Sequence, residues 1–496
     1  MSLIFDPEVD PEKFRGARVT IVGMGKARTA GGLGKWLVDH GAIVTMSDRK
    51  PREQLGEGIA RLREFGIDDH VDLVLGPSSD DAALADPDFV FVMPGIRPRS
   101  ATILRARERE IPILTEIGLF FRLCPATIVG VTGTKGKSTT TTLVGRILSH
   151  VAAAGAGRGP RRVVVRGNIG SSVIEELPAL TKDDVVVLEL SSFQLETIAQ
   201  SPNVAVVTNV LEDHLDHHGT RDAYVAAKSN IVRWQGTHDT AVLNLDDPTA
   251  MAMHEGVGSK LRTFSLTLRP KHGGWLDERG RLVLTDGDRV AVVCAASELR
   301  IPGRHNAANA LAAAIVGGTL GIPVEAIADE LRAFPGLRHR LETVGETGGV
   351  LWVNDSQGTT PYATIPAISA YARPAIVILG GIAKEADFTE LAREVVAKAR
   401  AAILMGQAAD EIGAAIASAR RRAGGPGPEV VRAKGLRDAV ERARSLARPG
   451  DVVLLSPACA TAAGRTDVVD EFSSYEERGD RFRDLVAEFA EPMGAA

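Results

Sequence analysis

Residues 127–144 read Thr127-Ile-Val-Gly-Val-Thr132-Gly133-Thr134-Lys135-Gly136-Lys137-Ser138-Thr139-Thr-Thr-Thr-Leu-Val144. A short β-branched run gives way to a glycine-spaced loop and then to a polar helical start. The strand is expected to end at Thr132 and the helix to run from Thr139 to Ser149. Glycines at 133 and 136 allow backbone N–H groups to turn inward around phosphate oxygens. The helix that follows aims its positive end at the same anion. Lys137 suits charge on a transferring phosphoryl group, and the Ser138 hydroxyl suits Mg²⁺. Gly133, Thr134, Lys135, Gly136, Lys137, Ser138 and Thr139 therefore form the candidate ATP-binding loop. It is a variant: the usual spacing would put glycine at position 131, which is Val131, with Gly130 and Gly133 on either side.

The same strand–turn–helix alternation recurs on both sides of this loop. Before it stand Arg18-Val-Thr-Ile-Val-Gly23, Ala42-Ile-Val-Thr-Met-Ser-Asp48 and Phe89-Val-Phe-Val-Met93, with a helical stretch from Leu33 to His40. After it come Val185-Val-Val-Leu-Glu189 and Val204-Ala-Val-Val-Thr-Asn209, and an Ala-rich helix from His305 to Gly318. Beyond 337 lie Val350-Leu-Trp-Val-Asn354, Ala375-Ile-Val-Ile-Leu379, Ala402-Ile-Leu-Met405 and Asp451-Val-Val-Leu-Leu-Ser456. Apolar runs this short, separated by helical segments, indicate parallel sheets covered on both faces. The reading is α/β with three domains: a Rossmann-like one at 1–115, a central phosphate-loop domain at 116–336 and a second Rossmann-like domain at 337–496. Residues 236–303, with alternating strands and Gly/Asp turns, are expected to form a small antiparallel addition. In such sheets ligands bind at the carboxyl ends of strands, which singles out Glu189 after the phosphate loop.

The N-terminal turn Gly23-Met-Gly25 is not a full dinucleotide fingerprint, because Arg28 stands where that pattern needs Gly or Ala. Lys26-Ala-Arg28-Thr-Ala-Gly31-Gly32 reads as an enlarged glycine loop. Asp48, at a strand end, could meet a ribose hydroxyl. A nucleotide site that does not take NAD and a purely structural turn both remain open.

The net charge is −5, so no broad positive field exists to hold nucleic acid. Three widely spaced cysteines with no CxxC pair indicate a reducing compartment and neither a disulfide framework nor a cysteine metal site. The acidic N-terminus lacks a signal-peptide core, and no apolar run reaches the roughly 18 residues a bilayer span needs. A cytoplasmic protein is expected, without membrane or nucleic-acid partners.

Several separated motifs, taken together, resemble the Mur ligase family over nearly the whole chain. They include Thr132–Thr140, Gly167-Asn168-Ile-Gly170, Leu188–Glu196, Asn209-Val-Leu-Glu-Asp-His214-Leu-Asp216 and Tyr224-Val-Ala-Ala-Lys228. Gly303-Arg-His-Asn306-Ala-Ala-Asn309, Gly336-Leu-Arg-His-Arg340, Asn354-Asp355-Ser356 and Leu455-Ser-Pro-Ala458 extend the likeness. Within the family the sequence is most similar to the branch that adds glutamate to UDP-N-acetylmuramoyl-L-alanine. The resemblance implies an ATP-dependent ligase of cell-wall precursor synthesis, working as a monomer through an acyl phosphate.

It also implies residue roles. Lys137, His214 and Lys228 would be catalytic. Ser138, Glu189, His214 and Lys228 would hold two Mg²⁺, with Lys228 carrying CO₂ as a carbamate. That modification requires a neutral amine, hence a desolvated or positively crowded pocket. Asn306, Asn309, Arg340 and Asp355 would complete the ATP site. Gly25, Lys26, Ser47, Asp48, Arg49, Gly95, Asn168, Ser191 and Gln194 would bind the uridine precursor. His217 and His218, beside His214, read as surface residues.

Glutamate would meet Gln357, Thr359, Lys384, Thr461 and Tyr475. Here the sequence departs from the family. Gln357 stands where a carboxylate-binding lysine is expected, Thr461 replaces a serine and Tyr475 a phenylalanine. D-glutamate is the leading substrate and L-glutamate the alternative. A phosphate-loop ATPase or small-molecule kinase is a more distant reading.

Overall fold

A computed structural model gives the fold over residues 10–97, 99–153, 160–167, 172–383, 386–462 and 471–490. These residues build three α/β sheets. The first has five parallel strands in the order Val71–Leu75, Ile43–Asp48, Arg18–Val22, Phe89–Val92, Ile113–Leu114. The strand order reverses beside Arg18–Val22, which creates a crevice at the carboxyl ends of its strands. Phe14, Leu33, Trp36 and Phe91 fill the core on one face.

The second sheet has nine strands, with the loop strand Thr127–Thr132 between Val185–Glu189 on one side and Val204–Val207 on the other. Six neighbouring pairings, from Val163–Gly167 to His272–Leu276, are parallel. Arg281–Asp286 and Arg289–Ala295 then continue it as antiparallel strands. The antiparallel segment expected from sequence is thus an extension of the central sheet. The third sheet has six strands, all parallel except Glu342–Thr347, which pairs antiparallel to Val350–Asn354 at one edge.

The chain forms two compact units. One holds the first two sheets, up to Glu298 and again over Ala307–Arg332; the other holds Leu299–Asn306 and the third sheet. Among the described residues no helix is long and apolar enough to cross a membrane.

The glycine loop expected after Lys26 is instead part of the helix Arg28–Asp39. Packing explains why a glycine-rich segment is helical here. A Cβ on Gly32 would lie 2.4 Å from the Ser172 Cβ, so the helix backbone can approach the central segment only where no side chain intervenes.

Candidate functional site at the phosphate loop

Every residue of the loop strand after Thr127 is buried, and the helix begins at Lys137, two residues earlier than the sequence pattern suggested. Between them Gly133 has φ 148° and Gly136 φ 85°, values that L side chains rarely adopt. A Cβ on Gly136 would also sit 2.4 Å from Asn309 Oδ1, so this glycine lets the Ala-rich helix Arg304–Thr319 touch the loop.

The next strand locks the loop in place. Thr134 N–H donates to Asn209 O at 2.9 Å, and Lys135 N–H to Asn209 Oδ1 at 2.9 Å. The Asn209 amide returns a bond to Lys135 O at 2.9 Å, and the Thr208 hydroxyl donates to the same carbonyl at 2.6 Å. Thr134 Oγ1 lies 2.9 Å from the Tyr224 hydroxyl and accepts from Leu211 N–H at 2.9 Å. Burial pushes the Tyr224 phenol up to about 12, so it stays a neutral hydrogen-bonding group. Tyr224 had no role in the sequence reading, although it lies one helical turn before Lys228.

Three charged side chains converge here. Lys137 folds back over the loop, donating to Gly133 O and Thr134 O, each at 3.1 Å. Lys228, on the helix Arg221–Arg233, is 2% exposed; its amine donates to Gly133 O at 3.0 Å and lies 4.7 Å from the Tyr224 ring centroid. Burial, then the nearby Lys137 charge, lower that amine to about 7, against the pull of Asp213 and Glu189. The desolvation and positive crowding that a carbamate requires are both present. Glu189 is buried and ends its strand in register with Val131, beside the root of the loop.

Ser138 and Thr139 lie in the first turn of the loop helix. The Ser138 hydroxyl and the Glu189 carboxylate are hard oxygen donors of the type Mg²⁺ prefers. Asn309 accepts from the Thr140 hydroxyl at 3.3 Å, and Asn306, one turn earlier, donates to Pro302 O at 2.7 Å. His214 caps the short helix Leu215–His218 with a left-handed backbone, φ 53°, and its half-exposed ring lies 4.9 Å from that of Phe193.

The structure corrects the surface reading of its two neighbours. The side chains of His217 and His218 are 9% and 0% exposed. They turn inward because Glu196, Phe193 and Ser192 receive them.

Four of the residues expected to bind the uridine precursor meet in the crevice of the first sheet. Ser47, Asp48, Arg49 and Gly95 line a cleft of about 600 Å³. The Ser47 hydroxyl is buried without a hydrogen-bond partner among the described residues. Asp48 accepts from Gly25 N–H at 2.8 Å and from Lys50 N–H at 3.0 Å, so it holds the glycine turn. Lys26 pairs with Glu57 at 3.0 Å. Ser191 and Gln194 close a capping box on each other. Asn168 lies outside the described residues.

In the other compact unit, Asp355 is buried, accepting from Leu341 N–H at 3.1 Å and from the Ser456 hydroxyl at 2.7 Å. Burial raises its carboxyl to about 7 in spite of those donors and Arg340. Arg340 donates through Nε to Gln357 Oε1 at 3.0 Å. A residue that sequence reasoning missed organises this region. Arg478 is 1% exposed and donates to Ser356 O at 2.9 Å, to the Ser356 hydroxyl at 3.0 Å and to Cys459 O at 3.4 Å. It thereby joins the Asp355–Thr359 turn to the segment leading to Thr461. The Ser356 hydroxyl in turn donates to Tyr475 O at 2.8 Å. Lys384 lies outside the described residues.

Comparison with known proteins fits this geometry. The Mur ligase middle domain matches residues 131–317, and the Mur ligase glutamate ligase domain matches 339–459. A UDP-N-acetylmuramoylalanine–D-glutamate ligase from Pelotomaculum thermopropionicum is 41% identical over 95% of this chain and 98% of its own. One of the same name from Symbiobacterium thermophilum is 41% identical over 95% and 97%. Among solved structures, a UDP-N-acetylmuramate–alanine ligase from Thermotoga maritima superposes with a TM-score of 0.59 at 21% identity, covering 95% of this chain and 100% of that one. A MurF ligase from Thermotoga maritima, in complex with ADP, gives 0.54 at 18% identity, covering 99% and 100%.

Proposed function

The chain belongs to the Mur ligase family, and from that premise we propose that it joins D-glutamate to UDP-N-acetylmuramoyl-L-alanine, consuming ATP, in cytoplasmic peptidoglycan precursor synthesis. The observation that carries this is the convergence of Lys137, Lys228 and Glu189 on one glycine-turned loop. The names of the relatives supply the choice of D-glutamate over L-glutamate. We assign the uridine precursor to residues 1–115, ATP to 116–336, and glutamate binding to 337–496, in a monomer.

A carboxylate is a poor electrophile at neutral pH, so it must first be activated. In the proposed reaction the alanyl carboxylate takes the terminal phosphoryl group of ATP and becomes an acyl phosphate. The amine of glutamate attacks the acyl carbon, and phosphate leaves from the tetrahedral intermediate. The protein's part is positioning and charge compensation. The amides around Gly133 and Gly136 and the start of the loop helix hold phosphate oxygens, while Lys137 compensates their charge as the phosphoryl group moves. Bound Mg²⁺ supplies further charge neutralisation; Ser138 and Glu189 would hold one ion, and His214 with carbamylated Lys228 a second.

An amine at about 7 is substantially neutral at physiological pH. The neutral amine can add to CO₂ with loss of one proton, leaving an anionic carbamate where a protonated lysine would be a cation. Protein equilibrated with ¹³C-bicarbonate should show a carbamate carbon signal that Lys228→Ala abolishes; a wild-type spectrum without it refutes the modification.

Supplying D-glutamate and L-glutamate separately, with the precursor and Mg-ATP, tests the whole reading. Phosphate release should rise with D-glutamate, and mass spectrometry should find the dipeptidyl product. Release that no amino acid stimulates would refute the ligase assignment.

A further inference from the structure

We propose that Glu196, His217 and His218 form a binding site for a borderline divalent transition metal, Zn²⁺ in type, separate from the magnesium ligands of the phosphate loop. Glu196 caps the end of the short helix Ser192–Leu195, and the two histidines end the helix Leu215–His218. Their side chains are 10%, 9% and 0% exposed, and one ligand atom from each lies within 4.8 Å of the others.

Two distances already approach those of a metal-bound set. His217 Nε2 lies 3.0 Å from Glu196 Oε2, and His218 Nδ1 lies 3.7 Å from Glu196 Oε1. Metal–ligand bonds of about 2.0–2.1 Å put neighbouring tetrahedral donors roughly 3.3 Å apart. Small ring rotations would close the set.

His218 supplies the second observation. Its Nε2 is 3.0 Å from the Ser192 hydroxyl, while the buried Nδ1 has no hydrogen-bond partner among the described residues. If Nε2 carries the proton, the Nδ1 lone pair faces a carboxylate oxygen. If Nδ1 carries it, the oxygen is too distant for a hydrogen bond. A cation between the two relieves the first arrangement directly, and the second once the proton has moved from Nδ1 to Nε2, where it can be donated to the Ser192 hydroxyl. With Ser192 orienting the far nitrogen, the ligand also has the outer partner that metal-bound imidazoles use.

Two imidazoles and one carboxylate favour Zn²⁺ over Mg²⁺, which prefers an all-oxygen shell. His217 also lines a cavity of about 20 Å³ with Glu116, Gln194 and Thr197. That is space for roughly one water, which could occupy a fourth coordination position. Occupancy would tie Ser192–Glu196 to the turn that His214 caps, so the site could set the rigidity of that turn.

The test titrates Co²⁺ into chelator-stripped full-length protein with Mg²⁺ in excess. Wild type should develop the visible absorption of low-symmetry Co²⁺, saturating at one equivalent and bleached by added Zn²⁺. Glu189→Gln, which alters the phosphate-loop carboxylate, should keep the band. His218→Gln and His217→Gln should each weaken binding at least about a hundredfold, beyond what loss of an outer partner does. Circular dichroism identifies variants that remain folded, and His217→Gln, at the cavity edge, stands in if His218→Gln does not. No band in wild type, a band retained in both histidine variants, or one lost only in Glu189→Gln would overturn the site.

Discussion

Lys228 and Asp355, one in each compact unit, are both buried and both driven to about 7, the lysine down from 10.5 and the aspartate up from 3.8. The same value arises in different surroundings. Around Lys228 the second influence is a like charge, Lys137, so the site favours an amine that has shed its proton. Around Asp355 the second influence is a donor, the Ser456 hydroxyl, so the site holds a carboxyl in place. The first environment prepares a group for chemistry; the second makes a tether. A shifted pKa therefore acquires its meaning from the neighbours that oppose or assist burial.

The largest effect expected from disturbing this contrast is on catalysis. Lys137→Ala should lower glutamate-dependent phosphate release at least about a hundredfold, since one preorganised electrostatic partner is worth about 3–4 kcal/mol. It should also raise the pKa of Lys228 by removing the like charge. Near-normal turnover would contradict the assigned role.

Arg478→Met tests the tethering unit. Replacing a buried cation that serves Ser356 and Cys459 should cost about 2–3 kcal/mol, from hydrogen bonds made by a charged donor. The midpoint of urea unfolding measures this; a shift below about 0.5 kcal/mol would show that the carbonyls find other partners.

The two buried groups should also oppose each other in pH dependence. Lys228 has a folded pKa below its unfolded one. Between about 7 and 10.5 the unfolded state holds the extra proton, so its term in stability grows as pH rises. Asp355 has a folded pKa above its unfolded one. Between 3.8 and about 7 the folded state holds the extra proton, so its term is lost as pH rises. Relative to wild type, Lys228→Met should gain stability most below about pH 7 and Asp355→Asn most above it. Thermal melting across pH reads both, and parallel curves for the two variants would remove the contrast. The smallest effect is expected from Tyr224→Phe, about 1 kcal/mol for one neutral hydrogen bond to Thr134, measurable by urea unfolding.

The phosphate loop was legible because its parts are contiguous: strand, Gly133, Gly136, Lys137 and Ser138 fall within a dozen residues. Glu189 was legible because a strand end in a parallel sheet points to the ligand side. Arg478 was not, since the carbonyls it serves lie 122 and 19 residues away in sequence. No local pattern marks a surface arginine from a buried one. His217 and His218 were misread for a related reason: their partner Glu196 lies on another element and only folding brings it near. The first turn and a half of the helix Arg28–Asp39, through Gly31 and Gly32, was not legible because those glycines answer to close packing against Phe65 and Ser172, which lie far away in sequence.

Calorimetric titration of ATP, with and without Mg²⁺, into wild type, Glu189→Gln and Lys137→Ala tests most directly whether nucleotide and metal share the loop. Mg²⁺ should tighten ATP binding in wild type; Glu189→Gln should lose that gain yet still bind ATP, and Lys137→Ala should bind weakly in both conditions. An undiminished Mg²⁺ effect in Glu189→Gln, or wild-type affinity in Lys137→Ala, would contradict the account.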